Sequence, residues 1–291
     1  MTTINMIKSA CLCLLLTVSW SVSVAMDDDS YEQTMSVNLA EKVQDGEVIW
    51  LKARGSQFLT LFNEQLTENS QGAVIIVHGM GAHADWPNVV APLRNRLPNI
   101  GWATLSIQMP VLAPEQPLSE YGKTITVGIS RIQSAVQYLR QRKFLNIAII
   151  GYSFGAATAA EFLARTKKSR IAAFVGISLQ AQKFLNPTIK LLRALEKINI
   201  PVLDIYGSRD FTEVIRLADD RRLAGRKRGR RTYHQLVIEG ADHYFTGLED
   251  VLSRRIRGWL DKAAPGTRVI ADKELEEKIK ADEEEDDEQE Q

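Results

Sequence analysis

Asn146-Ile147-Ala148-Ile149-Ile150-Gly151-Tyr152-Ser153-Phe154-Gly155-Ala156-Ala157-Thr158-Ala159-Ala160 joins an apolar strand, a G-x-S-x-G turn and a small-residue helix without a gap. A serine on so tight a strand-to-helix turn has a strained backbone. A bulky neighbour two residues to either side would clash, and Gly151 and Gly155 remove that clash. The turn lifts the hydroxyl above the sheet edge, and the helix N-terminus beneath it favours developing negative charge. Ser153 is therefore the candidate nucleophile. The plainer alternative is a structural strand-to-helix turn without chemistry.

Apolar runs extend the pattern in both directions. Val48-Leu51 and Phe58-Phe62 flank Ala53-Arg54-Gly55-Ser56 and read as an antiparallel hairpin. Ala73-Val77 and Trp102-Ile107 are continuous apolar runs, as expected of strands buried on both faces of a mostly parallel sheet. Ile125, Ile129, Ile132, Val136 and Leu139 mark one helical face. Further on come Ile171-Leu179 (strand), Thr188-Ile198 (helix), Pro201-Tyr206 and Tyr233-Ile238 (strands) and Leu248-Asp261 (helix). Asn186-Pro187 reads as the cap of the Thr188 helix. The alternation predicts an α/β fold: a mostly parallel central sheet with an antiparallel N-terminal hairpin and helices on both faces. One domain from about residue 40 to 264 fits.

The two ends differ from this body. Lys8, an apolar Ala10-Val18 stretch and Ser23-Val24-Ala25 predict a cleavable signal peptide over residues 1–25, hence a periplasmic or secreted protein. Both cysteines, Cys11 and Cys13, fall inside it, so the mature chain has no disulfide or thiolate chemistry. Residues 26–45 are polar and read as a loose lead-in. The net charge of zero conceals an acidic tail: residues 272–291 hold 12 Asp and Glu against 3 Lys. Residues 265–291 are expected to be charged and disordered, leaving a basic body.

A serine hydroxyl needs a base within hydrogen-bond reach and a carboxylate to orient that base. His243, in Glu239-Gly240-Ala241-Asp242-His243 after the last strand, is the candidate base. His234 begins its strand and reads as structural. Asp210, closing Tyr206-Gly207-Ser208-Arg209-Asp210, is the favoured acid. Asp204, within the preceding strand, is the alternative, and Asp242 points elsewhere on an extended backbone. An oxyanion hole needs two convergent backbone N–H groups. Phe154 follows the nucleophile, and Met80 lies in the His78-Gly79-Met80-Gly81 loop after the Ala73-Val77 strand. Gly79 and Gly81 let that backbone approach a substrate. With His78 and Tyr152 they are the expected substrate-contacting positions, although His78 suits a loop brace better than a base. His83, Asp85 and Trp86 follow and either line the site or pack.

These four motifs, in this order and each after an expected strand, resemble the α/β-hydrolase superfamily of serine hydrolases over most of residues 45–262. The chain also resembles a proteobacterial group of exported members within it. The resemblance implies the fold and a Ser153, His243 and Asp210 triad. It implies no substrate. Separately, no metal-ligand spacing, phosphate-cradling loop or dinucleotide fingerprint appears, so no cofactor and no metal are expected. Many lipases and esterases insert a lid after the strand that here ends near Leu179. Only about 20 residues precede the next strand in this chain. They read as a short cap: one helix that covers the sheet rather than a substrate lid, leaving the site open.

The expected activity is hydrolysis of a carboxylic ester on a small or lipid-like acyl substrate. Acyl transfer and peptide cleavage would use the same nucleophile, and a non-catalytic binding protein would keep only the scaffold. Arg221-Arg231 holds seven basic residues and no acid. It could contact an anionic surface, or be a solvated loop. Nucleic acid is not expected, because no aromatic platform lies nearby.

Overall fold

The structure is a computed structural model and describes residues 28–166, 170–227 and 232–266. The expected signal peptide and most of the acidic tail lie outside these residues, as do Arg228, Arg230 and Arg231.

In chain order the elements are α1 (Asp28–Lys42), β1 (Glu47–Ala53), β2 (Ser56–Asn63), β3 (Gly72–Val77), α2 (Val90–Arg96), β4 (Trp102–Ile107), α3 (Tyr121–Gln141), β5 (Ile147–Tyr152) and α4 (Phe154–Arg165). Then follow β6 (Ala173–Ile177), α5 (Leu191–Leu195), β7 (Val202–Arg209), α6 (Thr212–Arg216), α7 (Ala218–Gly225), β8 (Tyr233–Asp242) and α8 (Glu249–Ala263). The eight strands form one sheet in the order β1-β2-β4-β3-β5-β6-β7-β8. β2 pairs antiparallel with both β1 and β4, and the remaining pairs are parallel.

The apolar runs have the cause expected of them. In β3, Ile75 and Val77 point to one face while Val74 and Ile76 point to the other, and all four are buried. Successive side chains alternate across a strand, so two covered faces demand an unbroken apolar run. α3, α4 and α5 cover the first face through Ile125, Ile132, Phe162 and Leu195. α2 and α8 cover the second through Leu93, Leu252, Ile256 and Leu260.

Strand register sets the site. Val77 pairs with Gly151, Gly151 with Gly176, and Tyr152 with Ile177. Arg209 pairs with Asp242 across a bulge between β7 and β8. The loops after β3, β5, β6, β7 and β8 therefore leave the sheet side by side at its carboxyl edge, where open α/β sheets place their ligands.

Three expectations change. Residues 26–45 are not a loose lead-in, because Asp28–Lys42 is helical. Its polar sequence hides the reason: Glu32 is buried on Arg131 of α3, and Leu39 and Ala40 pack on the hairpin residues Leu59 and Leu61. The Thr188-Ile198 helix shrinks to the five residues Leu191–Leu195, and Lys190 occupies its N-cap in place of Asn186. The stretch before it runs past the site without regular structure. The basic run is also not a uniform charged loop. Arg221 lies fully buried in α7 against Asp204, Arg222 pairs with Asp219, and Lys227 pairs with Glu196.

Candidate active site

Ser153 sits between the last residue of β5 and the first of α4 with φ 53° and ψ −118°, a left-handed conformation that non-glycine residues rarely adopt. The elbow glycines are sterically required. A Cβ on Gly151 would lie 2.5 Å from Ala156 Cα, and one on Gly155 would lie 2.2 Å from the His78 carbonyl oxygen. The strain is held from below by the Ser153 N–H, which donates to Ile177 O at 2.9 Å.

The turn aims the hydroxyl at His243. Ser153 Oγ is 3.2 Å from His243 Nε2, and His243 Nδ1 is 2.6 Å from Asp210 Oδ1. All three residues are at most 6% exposed. Because Nδ1 faces a carboxylate it carries the ring proton, which leaves Nε2 free to accept from the serine. Asp210 is the residue that reaches His243. Asp204 is fully buried elsewhere, accepting from Arg221, Tyr233 and Gln235. Asp242 takes the N–H groups of Tyr244 and Thr246 and so folds the loop that presents His243.

Burial pushes the Asp210 carboxyl up, but hydrogen bonds from His243, Ser178 and the Phe211 N–H outweigh it and hold the group below its ordinary value. The carboxylate is therefore ionised and fully engaged. Phe211 stacks on the His243 ring at 3.9 Å and 12°. The Tyr152 hydroxyl donates to His243 O at 3.2 Å. These contacts leave the imidazole one orientation.

The loop after β3 lies against Ser153. A Cβ on Gly79 would stand 3.3 Å from Ser153 Cβ and 3.2 Å from the Tyr152 ring. Gly81 adopts φ 68° with open space beside it. Phe154 opens α4, so its N–H has no partner one turn back within the helix. Gly79, Met80, Gly81 and Tyr152 all line the cleft at Ser153.

His78 is the correction. It does not line the cleft and is 1% exposed. Its Nδ1 donates to Gly79 O at 2.7 Å and its Nε2 accepts the Met109 N–H at 2.8 Å. Burial lowers its pKa to about 3, so the ring is neutral and braces the loop from behind. Of the residues that follow the motif, Trp86 lines the cleft, whereas His83 meets the Trp86 ring edge-on at 5.4 Å and Asp85 pairs with Arg94.

Two site residues carry no sequence motif. Ser178 Oγ donates to Asp210 Oδ2 at 2.5 Å, and Gln180 Nε2 lies 3.0 Å from Ser153 Oγ. Both follow β6, and the only signal for them is their position just past a strand end. The cleft measures about 460 Å³, and six aromatic residues (Trp86, Tyr121, Tyr152, Phe184, Phe211 and Tyr244) supply much of its wall. Among the described residues no group of three His, Cys, Asp or Glu is placed to hold a metal ion.

Solved structures similar to this one include α/β hydrolases. A dienelactone hydrolase from Anabaena variabilis superposes with a TM-score of 0.60 at 18% identity, covering 75% of this chain and 97% of that one. Est1E from Butyrivibrio proteoclasticus, solved with ferulic acid bound, gives 0.59 at 14% identity over 74% and 98%. An α/β serine hydrolase without a lid from Xanthomonas campestris gives 0.58 at 12% identity over 77% and 98%. The protein therefore has the α/β-hydrolase fold. A family model described as a protein of unknown function, DUF3530, matches residues 12–127 and 123–262, and the chain belongs to that family. No curated protein matches its sequence.

Proposed function

We propose that the protein is an exported serine hydrolase that cleaves carboxylic esters through an acyl-enzyme on Ser153. One observation carries the reading: a strained serine, a histidine and an ionised carboxylate lie in hydrogen-bonded series, with the serine and histidine lining the cleft.

Ser153 Oγ attacks the ester carbonyl while its proton passes to His243 Nε2. Asp210 stabilises the imidazolium that forms. The N–H groups of Phe154 and Met80 hold the oxyanion. The proton then moves to the leaving alcohol as its bond to the carbonyl carbon breaks. Water, activated by the same histidine, releases the acid.

The cleft supports an acyl group larger than acetyl. Leu118, Phe184, Phe211 and Tyr244 stand at its mouth and are each 44–60% exposed. Such an apolar rim is costly in water and suits a bulky apolar or aromatic substrate group. The ferulic acid bound to Est1E, an aromatic acid on the same fold, agrees with this reading. Export is supported by Lys8, the Ala10-Val18 stretch and Ser23-Val24-Ala25.

The test is a series of p-nitrophenyl esters of increasing acyl length together with a feruloyl ester. The expected result is kcat/KM rising from acetyl to the larger acyl groups. Ser153→Ala should lower turnover by about 10⁴-fold or more. Equal turnover by wild type and variant would refute the reading.

A further inference from the structure

We propose that Gln180 is a catalytic residue of this site, whose carboxamide N–H holds the Ser153 oxygen and speeds release of the acyl group more than its capture. The proposal rests on the reading of Ser153 as nucleophile.

Gln180 Nε2 is 3.0 Å from Ser153 Oγ. The direction of this bond follows from its neighbours. The serine proton is committed to His243 Nε2, so Oγ can only accept from Gln180, and the NH₂ end of the amide must face it. The contact is also firmly placed. Ile177 O receives the Ser153 N–H, the Ser178 N–H donates to Ile205 O, and Ser178 Oγ donates to Asp210. Leu179 is fully buried, and its side chain fills the space that Gly176 leaves open. The segment Ile177-Gln180 thus touches the nucleophile twice and the acid once, and Gln180 reaches the cleft from a clamped backbone.

The consequence depends on what Oγ is at each step. In the free enzyme it is a hydroxyl oxygen, a good acceptor. In the acyl-enzyme it is an ester oxygen whose lone pair is drawn toward the carbonyl, a weak acceptor. During release, water adds to the carbonyl carbon and gives a proton to His243. The bond from that carbon to Oγ then breaks, and the proton on His243 passes to Oγ. Negative charge gathers on Oγ as the bond breaks, and a charge-assisted hydrogen bond is strongest there. Gln180 therefore gains much on going from acyl-enzyme to release. It gains less on attack, because the starting hydroxyl already holds the same bond.

Stopped-flow hydrolysis of p-nitrophenyl butyrate by the mature protein separates the two steps as a burst and a slower steady rate. The comparison is wild type against Gln180→Leu and Gln180→Glu, both without an N–H donor at neutral pH. Thermal melts establish folding, and if the leucine variant fails to fold, the glutamate variant carries the comparison. The expected result is a steady rate lowered about tenfold with the burst rate nearly unchanged. A butyryl adduct on Ser153 should accumulate by intact mass. Equal slowing of both phases, or no change in either, overturns the proposal while leaving the serine mechanism standing. Absence of any acyl or fluorophosphonate adduct on wild-type Ser153 overturns the serine mechanism, and this proposal with it.

Discussion

Glu32 Oε1 lies 2.7 Å from Arg131 Nη1, and both side chains are at most 10% exposed. The pair begins a chain of contacts that ends at Ser153. Arg131 Nη1 also donates to Gln108 O at 3.0 Å, and the next residue, Met109, gives its N–H to His78. His78 in turn holds Gly79 O beside Ser153. The N-terminal helix is thus tied to the loop that carries Met80.

Removing one member of a buried ion pair leaves the other charge unpaired, a loss of about 3–5 kcal/mol. Glu32→Ala should destabilise the protein by that order in urea unfolding, and Glu32→Gln by less. A Glu32→Ala protein as stable as wild type would show that α1 is an ornament on the fold.

Ser178→Ala removes the hydroxyl that donates to Asp210 Oδ2. One hydrogen bond to a charged group is worth about 1.5–3 kcal/mol, so kcat should fall about tenfold or more with KM little changed. The acid response shifts as well. The Asp210 pKa is lowered in the folded state, so its stabilisation is present above the ordinary carboxylate value and is lost as pH falls through the folded value. Without Ser178 the folded value rises, so the acid-dependent loss is smaller and is complete at a higher pH. Matching kcat and acid unfolding profiles for variant and wild type would rule this out.

His78 gives the fold a second acid sensitivity. Its pKa is about 3 when folded, against the ordinary histidine value of 6.5. Between these values the unfolded chain takes up a proton that the folded chain refuses. Stability should therefore fall as pH drops below 6.5, by up to about 1.4 kcal/mol per pH unit, until about pH 3. Burial lowers His83 too and adds to the same trend. His78→Gln should lower the initial stability but flatten the slope by about one proton in urea unfolding series. An unchanged slope would remove His78 as its source.

The parts legible in the sequence were those with local causes. β3 and β5 were visible because two covered faces require unbroken apolar runs. Ser153 was visible because its turn needs glycines at two fixed positions, and Asp210 and His243 because each follows a strand in a fixed order. What stayed hidden depends on partners far along the chain. α1 is polar, and its burial rests on Arg131, 99 residues from Glu32. Ser178 and Gln180 look like ordinary loop residues until β6 pairs with β5 and brings Ile177 beside Tyr152. His78 reads as a site residue from its motif, and only the Met109 N–H behind it shows that the ring faces inward. Arg221 belongs to a basic run in sequence but to a buried ion pair with Asp204 in space.

The central claim is that Ser153 is an activated nucleophile driven by His243. Intact-mass labelling of the purified mature protein with a fluorophosphonate tests it most directly. One adduct per chain, absent in Ser153→Ala and formed far more slowly by His243→Ala, is the predicted result. A folded wild-type protein that takes no label, or a Ser153→Ala protein that labels as fast as wild type, would contradict it.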